Sequence, residues 1–265
     1  MNILFIGDIV GKIGRESVKK ILPELRKELK LDFVIANAEN TAHGSGITAT
    51  VLDELKEARI DFFTSGDHAF KNKKHLNVFT DYPLVRPANY PPGVPGEGFK
   101  IVTVNGKNIA IINLIGRVFM RLDYDCPFRK IDEILANIDL LEKKIFAIIV
   151  DIHAEATSEK VCLSYYLDGR VSAVLGTHTH VMTADARILE KGTAYISDVG
   201  MVGAANSSLG IDKENIIKTF LEQIKYKHEI PEIGETIFNA VLLVIDDKTG
   251  RIKKIKPVVR SFKIN

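Results

Sequence analysis

The chain has 265 residues, of which 46% are hydrophobic and 26% charged, with a formal net charge of +2. These values are normal for a soluble globular protein, and so small a net charge carries no strong nucleic-acid signature. There are only two cysteines, Cys126 and Cys162, in neither a CxxC nor a CxH pair, which excludes a disulfide framework and fits a cytoplasmic protein.

The opening MNILFIGDIVGKIGRES lacks the basic and apolar regions of a signal peptide, so NILFIG reads as a buried strand. No stretch reaches the ~20 apolar residues of a membrane span. GRESVKKILPELRKELK then places Val18, Ile21, Leu22, Leu25 and Leu29 at helical spacing, with Pro23 signalling a kink or restart. DFVIANAEN reads as a strand and TATVLDELKEA as a helix capped by Thr48. IDFFTSGDH repeats the strand-to-loop theme. The Pro/Gly-rich residues 89–99 form a surface loop, and 99–115 a hairpin around Asn105-Gly106. RKIDEILANIDLLEKK reads as a helix, IFAIIVDIH as an apolar strand, and RVSAVLGTHTH as a strand ending in a loop. ARILEKGTAYIS is a hairpin, KENIIKTFLEQIKY a helix, and TIFNAVLLVIDDKTGRIKKIKPVV a closing hairpin. Early βα units followed by hairpins imply an α/β fold with mixed sheets covered by helices, one domain over 1–265.

Polar residues recur at the carboxyl ends of the apolar strands. Asp8 follows ILFIG; Glu39 and Asn40 follow FVIANA; Asp67 and His68 follow FFTSG; His153 ends FAIIVDI; His178 and His180 follow AVLGT. In open α/β sheets ligands bind outside the carboxyl ends of strands. Imidazoles with carboxylates suit divalent metals, and this many donors exceed one tetrahedral site; two ions ~3.5–4 Å apart with a bridging carboxylate fit better. No cysteine lies near, which argues against a closed structural zinc site. In an extended GTHTH, His178 and His180 share a face opposite Thr179. GDIVGKIG matches neither GxGxxG nor GxxxxGK[ST], so a phosphate-loop reading is weak. His43, in the Gly-rich TAHGSGIT, is a weaker substrate-contact candidate; His75 and His228 read as surface residues.

In this order, GD, AEN, GDH, DIHAE and GTHTH resemble the calcineurin-like metallophosphoesterase superfamily, and more closely its bacterial branch of 2′,3′-cyclic-nucleotide phosphodiesterases. The resemblance runs from Asp8 to about Gly210 and includes the Gly-rich SDVGMVGAANSSLG. It implies a metallophosphoesterase-like sandwich of two mixed β-sheets flanked by helices. It implies that Asp8, Glu39, Asn40 and His180 hold one metal, and that Glu39 bridges to a second held by Asp67, His153 and His178. The ions would be divalent or trivalent, iron first, with manganese or zinc as alternatives. His68 would face the substrate as general acid while a metal-bridging hydroxide attacks phosphorus, with Asn40 also touching the substrate. Two departures stand out: Val10 occupies the His of the superfamily's Asp-x-His, a loss the branch shares, and Asp67 stands where the branch has Asn.

The expected substrate is thus a small phosphodiester or cyclic nucleotide, with no membrane partner and a homo-oligomer as the default assembly. Two rival classes remain open at this level. One is a metal-dependent hydrolase of another ester or an amide. The other is a regulatory metal- or nucleotide-binding protein with little turnover, to which the extra charge of Asp67 lends weight.

Overall fold

The computed structural model describes residues 1–141 and 143–265. Its elements run β1 (Asn2–Ile9), α1 (Gly11–Glu28), β2 (Phe33–Asn37), α2 (Ala49–Glu57), β3 (Phe62–Thr64), α3 (Val78–Asp81), β4 (Phe99–Val104), β5 (Lys107–Ile115) and α4 (Pro127–Asp139). There follow β6 (Ile145–His153), α5 (Thr157–Tyr166), β7 (Ala173–Thr177), β8 (Arg187–Ile188), β9 (Ala194–Ile196), β10 (Met201–Ala204), α6 (Lys213–Glu222), β11 (Gly234–Ile245) and β12 (Ile252–Ile264). Two six-stranded sheets form, in the orders β12-β11-β10-β1-β2-β3 and β4-β5-β6-β7-β9-β8. Both are mixed: β1, β2 and β3 run parallel, as do β5, β6, β7 and β9, while β11, β12, β4 and β8 add antiparallel pairings.

The sheets stack because their strands are apolar on both faces. On β1, Ile3 and Phe5 point into a core shared with Ile109, Ile111, Ile149, Leu175 and Ile196 of the other sheet. Leu4 and Ile6 point the other way, onto Val18, Leu22 and Leu25 of α1 and Leu52 and Leu55 of α2. The second sheet's outer face packs against Ile131, Ile134 and Leu135 of α4 and Leu163 of α5. The result is the expected sandwich with helices outside. Among the described residues no helix is long and apolar enough to cross a membrane.

Several local expectations need correction. Helix α1 starts three residues before the expected Gly14 and runs unbroken through Pro23. The helix expected over 129–144 ends at Asp139, and Glu142 in its expected tail lies outside the described residues. The helix expected to reach Tyr226 stops at Glu222, where Gln223 turns left-handed at φ 57°. The Gly-rich stretch 197–210, for which no element was expected, contains strand β10. Thr48 caps α2 by accepting the Val51 N–H at 3.3 Å, and Asn105 and Gly106 both have positive φ, as a tight hairpin requires.

Candidate active site

Parallel strands put their carboxyl ends on one rim, so residues distant in sequence converge there. Sheet one supplies Asp8 on β1, Glu39 and Asn40 after β2, and Asp67 and His68 after β3. Sheet two supplies His153, the last residue of β6, and His178 and His180 after β7. Backbone space matters at one point: a Cβ on Gly66 would overlap the His153 ring and the Glu39 carboxylate. The glycine of SGDH therefore lets the chain pass directly against the donor groups.

The tightest knot lies at His153 Nε2. It meets Glu39 Oε1 at 3.2 Å, Asp67 Oδ1 at 3.2 Å and His178 Nδ1 at 3.0 Å. All four residues offer atoms within 4.8 Å of one another. Donors ~2.1 Å from a common ion stand about 3.0–3.4 Å apart, and the three contacts at Nε2 fall in that range. A second set adjoins it through Glu39. The Asn40 amide Nδ2 lies 3.4 Å from Asp8 Oδ1, 3.3 Å from Glu39 Oε1 and 3.2 Å from His180 Nε2. No lysine or arginine among the described residues pairs with Asp8, Glu39 or Asp67, although Asp8 and Glu39 are fully buried. Buried carboxylates grouped without cationic side chains other than histidine are a donor set that fits cations.

Electrostatics sorts these groups. Burial pushes the Glu39 carboxyl up, but His153 and His68 outweigh it and hold it well below the usual range. Burial pushes His153 down, yet Glu39 and Asp67 raise it well above an ordinary imidazole. Burial, reinforced by His153, lowers His178 to about 4, so this ring is neutral at physiological pH and has a free nitrogen lone pair. Burial raises Asp8 against the pull of His180 and His153. Hydrogen bonding to Glu39 raises His68.

His68 stands differently from its neighbour Asp67. Its Nδ1 donates to Asn40 Oδ1 at 2.8 Å and its N–H to Glu39 Oε2 at 3.0 Å, while its side chain is one-third exposed. It lines a cavity of about 330 Å³ together with Glu39, Asn40, His178 and His180, walled by Val10, Ile211 and Ile230. Asn40 turns its oxygen to His68 and its NH₂ to Asp8 and His180. A half-turn of the amide would reverse this and set the carbonyl among the donors.

GTHTH reaches the rim by another route than a strand pleat. β7 ends at Thr177, and His178 and His180 take left-handed backbone at φ 99° and 64°. Thr179 still faces away from both rings, donating its N–H and hydroxyl to Asp198 Oδ2 at 3.0 and 2.7 Å. His43 lies elsewhere: it lines a neighbouring cavity with Lys12 and Arg15, where Ile230 packs against Gly11 and Gly44. His228 is exposed, and His75 sits half-buried on a short 3₁₀ turn.

A supporting shell escaped the sequence reading. His153 Nδ1 donates to Thr177 Oγ1 at 2.9 Å, because that hydroxyl itself donates to Asp151 Oδ1 at 2.7 Å. This fixes the tautomer and leaves Nε2 for the cluster. Burial raises Asp151 to about 7 despite the donors around it. Beyond Thr179, Asp198 pairs with Lys160 Nζ at 2.9 Å, both side chains at most 2% exposed. Asp151 shares a face with His153 two residues on, and Asp198 follows β9, so strand alternation and the strand-end rule pointed to both.

A family model described as YmdB-like protein matches residues 4–258. The chain is 47% identical to the 2′,3′-cyclic-nucleotide 2′-phosphodiesterase of Bacillus subtilis (strain 168) over 260 residues, 98% of this chain and 97% of that protein. A hypothetical protein from Thermus thermophilus superposes with a TM-score of 0.91 at 42% identity, covering 98% of this chain and 99% of that one. A novel phosphatase from Mycoplasma pneumoniae gives a TM-score of 0.92 at 34% identity, covering 100% and 94%.

Proposed function

The chain belongs to the YmdB-like protein family, and from that premise we propose that it is a metal-dependent phosphoric diester hydrolase whose substrates are small phosphodiesters, 2′,3′-cyclic nucleotides foremost. The observation that carries this is the convergence of Glu39, Asp67, His153 and His178 within 4.8 Å, with Asp8, Asn40 and His180 beside it. Glu39, Asp67, His153 and His178 would hold one ion; Asp8, Glu39, Asn40 and His180 would hold another, with Glu39 common to both. Iron is the leading candidate, and manganese or zinc also suit mixed nitrogen and oxygen donors. When bound, such ions supply Lewis acidity to the phosphoryl oxygens and lower the pKa of a water.

The chain's own residues supply the rest. His68 is proposed as the general acid. Glu39 raises its pKa, so the imidazolium persists to higher pH than an ordinary histidine, and Nδ1 is tied to Asn40. The proton at Nε2 is then the one free for a leaving oxygen. If Asn40 presents its carbonyl to the donors instead, its NH₂ faces Nδ1, which must then accept, and that orientation favours the neutral ring over the imidazolium. Val10, Ile211 and Ile230 give the cavity an apolar wall that limits water. The protein loaded with Mn²⁺ or Fe²⁺ is expected to turn over bis-p-nitrophenyl phosphate and 2′,3′-cAMP. A folded, metal-loaded protein that hydrolyses neither overturns the reading.

A further inference from the structure

Beside the cavity of His68 lies a larger one of about 600 Å³, and His180 and Leu209 line both. The His180 ring is the partition. Its Nδ1 donates to the Leu209 carbonyl at 2.9 Å while Nε2 faces Asn40 and Asp8. The cavity arises where β11 and β12 run on past the second sheet. Ile237 and Asn239 continue the face that Val241 and Leu243 bury inside the sandwich, but here they border loop residues such as Met182, Met201 of β10, and Pro257 and Val259 of β12. The walls are mostly apolar, with His180, Thr183, Ser207 and Asn239 as the polar lining residues. Asn239 is only 3% exposed, and its Oδ1 has no hydrogen-bond partner among the described residues. An amide oxygen buried without a donor destabilises the fold, and nothing else in the surrounding fold supplies one.

We propose that this cavity takes the nucleobase of the substrate while its phosphoryl group lies at the Glu39 cluster. The inference rests on the phosphodiesterase reading and adds to it the place where a nucleotide's base lodges. In a 2′,3′-cyclic nucleotide the base hangs from the sugar carbon next to the phosphorylated one, so it must lodge within one ribose of the phosphoryl site. A cavity sharing His180 with that site is at this reach. Two apolar walls suit the faces of a flat heterocycle, and thioethers such as Met182 and Met201 favour aromatic contact. Oδ1 itself is sealed behind the cavity wall, so a base amino group would give it the donor it lacks only once the Asn239 side chain turns toward the cavity. The volume falls within the range of small-ligand pockets.

Two substitutions test this. Ala184 lies exposed on the cavity's rim, so Ala184→Trp should fill the space without disturbing the core. In the metal-loaded protein, calorimetry is expected to show 3′-AMP binding at least tenfold more tightly than inorganic phosphate, and Ala184→Trp to abolish that advantage. The ratio of kcat/KM for 2′,3′-cAMP to that for bis-p-nitrophenyl phosphate should fall about as far. Asn239→Leu should raise Tm while weakening 3′-AMP binding, whereas a merely structural asparagine would lower Tm when replaced. An unchanged ratio and an undiminished 3′-AMP advantage in Ala184→Trp overturn the subsite. So does a dimer that Ala184→Trp dissociates with nucleotide binding intact, which would assign the cavity to a second copy of the chain. A protein that binds 3′-AMP through this cavity yet hydrolyses neither diester sinks the phosphodiesterase reading alone.

Discussion

The two donor sets that share Glu39 are built to different tolerances. Around His153, four donor residues stand at close spacing, and the ring is held from behind by the Thr177–Asp151 relay. Around Asp8 the contacts span a similar 3.2–3.7 Å, but Asn40 presents its NH₂ rather than its carbonyl. One set is locked by buried hydrogen bonds; the other depends on an amide that can turn. A donor set whose orientation is fixed in advance forfeits less freedom on binding. The His153 set should therefore bind its ion more tightly, and the Asp8 set should be the one that exchanges.

The largest expected effect comes from the group common to both. Glu39→Gln should empty both sets and lower phosphodiesterase activity at least roughly 10³-fold, beyond the ~10–100-fold of an outer partner. Elemental analysis that still finds two ions per chain would erase the distinction between bridge and bystander. His68→Ala should lower kcat by about 10²–10⁴-fold while both ions remain. Ion loss in that variant would make His68 a ligand instead. Thr177→Val should weaken metal affinity about 10–100-fold in the His153 set only. Equal weakening of both ions, followed by competitive chelation, would show that the relay does not distinguish them. Asp67→Asn should have the smallest effect, less than about tenfold in kcat, with a weaker ion in the His153 set because one negative charge is removed.

The same comparison has a pH signature. Glu39 and Asp67 hold the His153 ring above its ordinary pKa, so below that point an ion must displace a proton. Affinity in the His153 set should rise about tenfold per pH unit until the ring's raised pKa is passed, then level off. Titrations at several pH values that show no such rise would remove His153 Nε2 from the ligands.

Much of this arrangement was legible in the sequence because apolar periodicity marks strands and strands aim their ends. β1 reads as a buried strand since Ile3 and Phe5 face one core while Leu4 and Ile6 face another. The side chains gathered on the rim were found by one rule applied at five strand ends. Helix α5 was missed because its buried face includes Glu159, Lys160 and Ser164, which hide the apolar period. β10 was missed because a four-residue strand containing glycine looks like loop. For His178 and His180 the pleat gives the right facing by the wrong backbone, since positive φ, though enriched at histidine, is still uncommon there and not signalled by GTHTH. Asn40's orientation is not written in the sequence at all; it follows from the competition between His68 and the donor groups for one amide.

Anomalous scattering from crystals of the metal-loaded protein tests the central claim most directly. The account predicts two ions about 3.5–4 Å apart, joined by Glu39, with Asp67, His153 and His178 on one, Asp8, Asn40 and His180 on the other, and His68 on neither. A single ion, or one coordinated by His68, would contradict it.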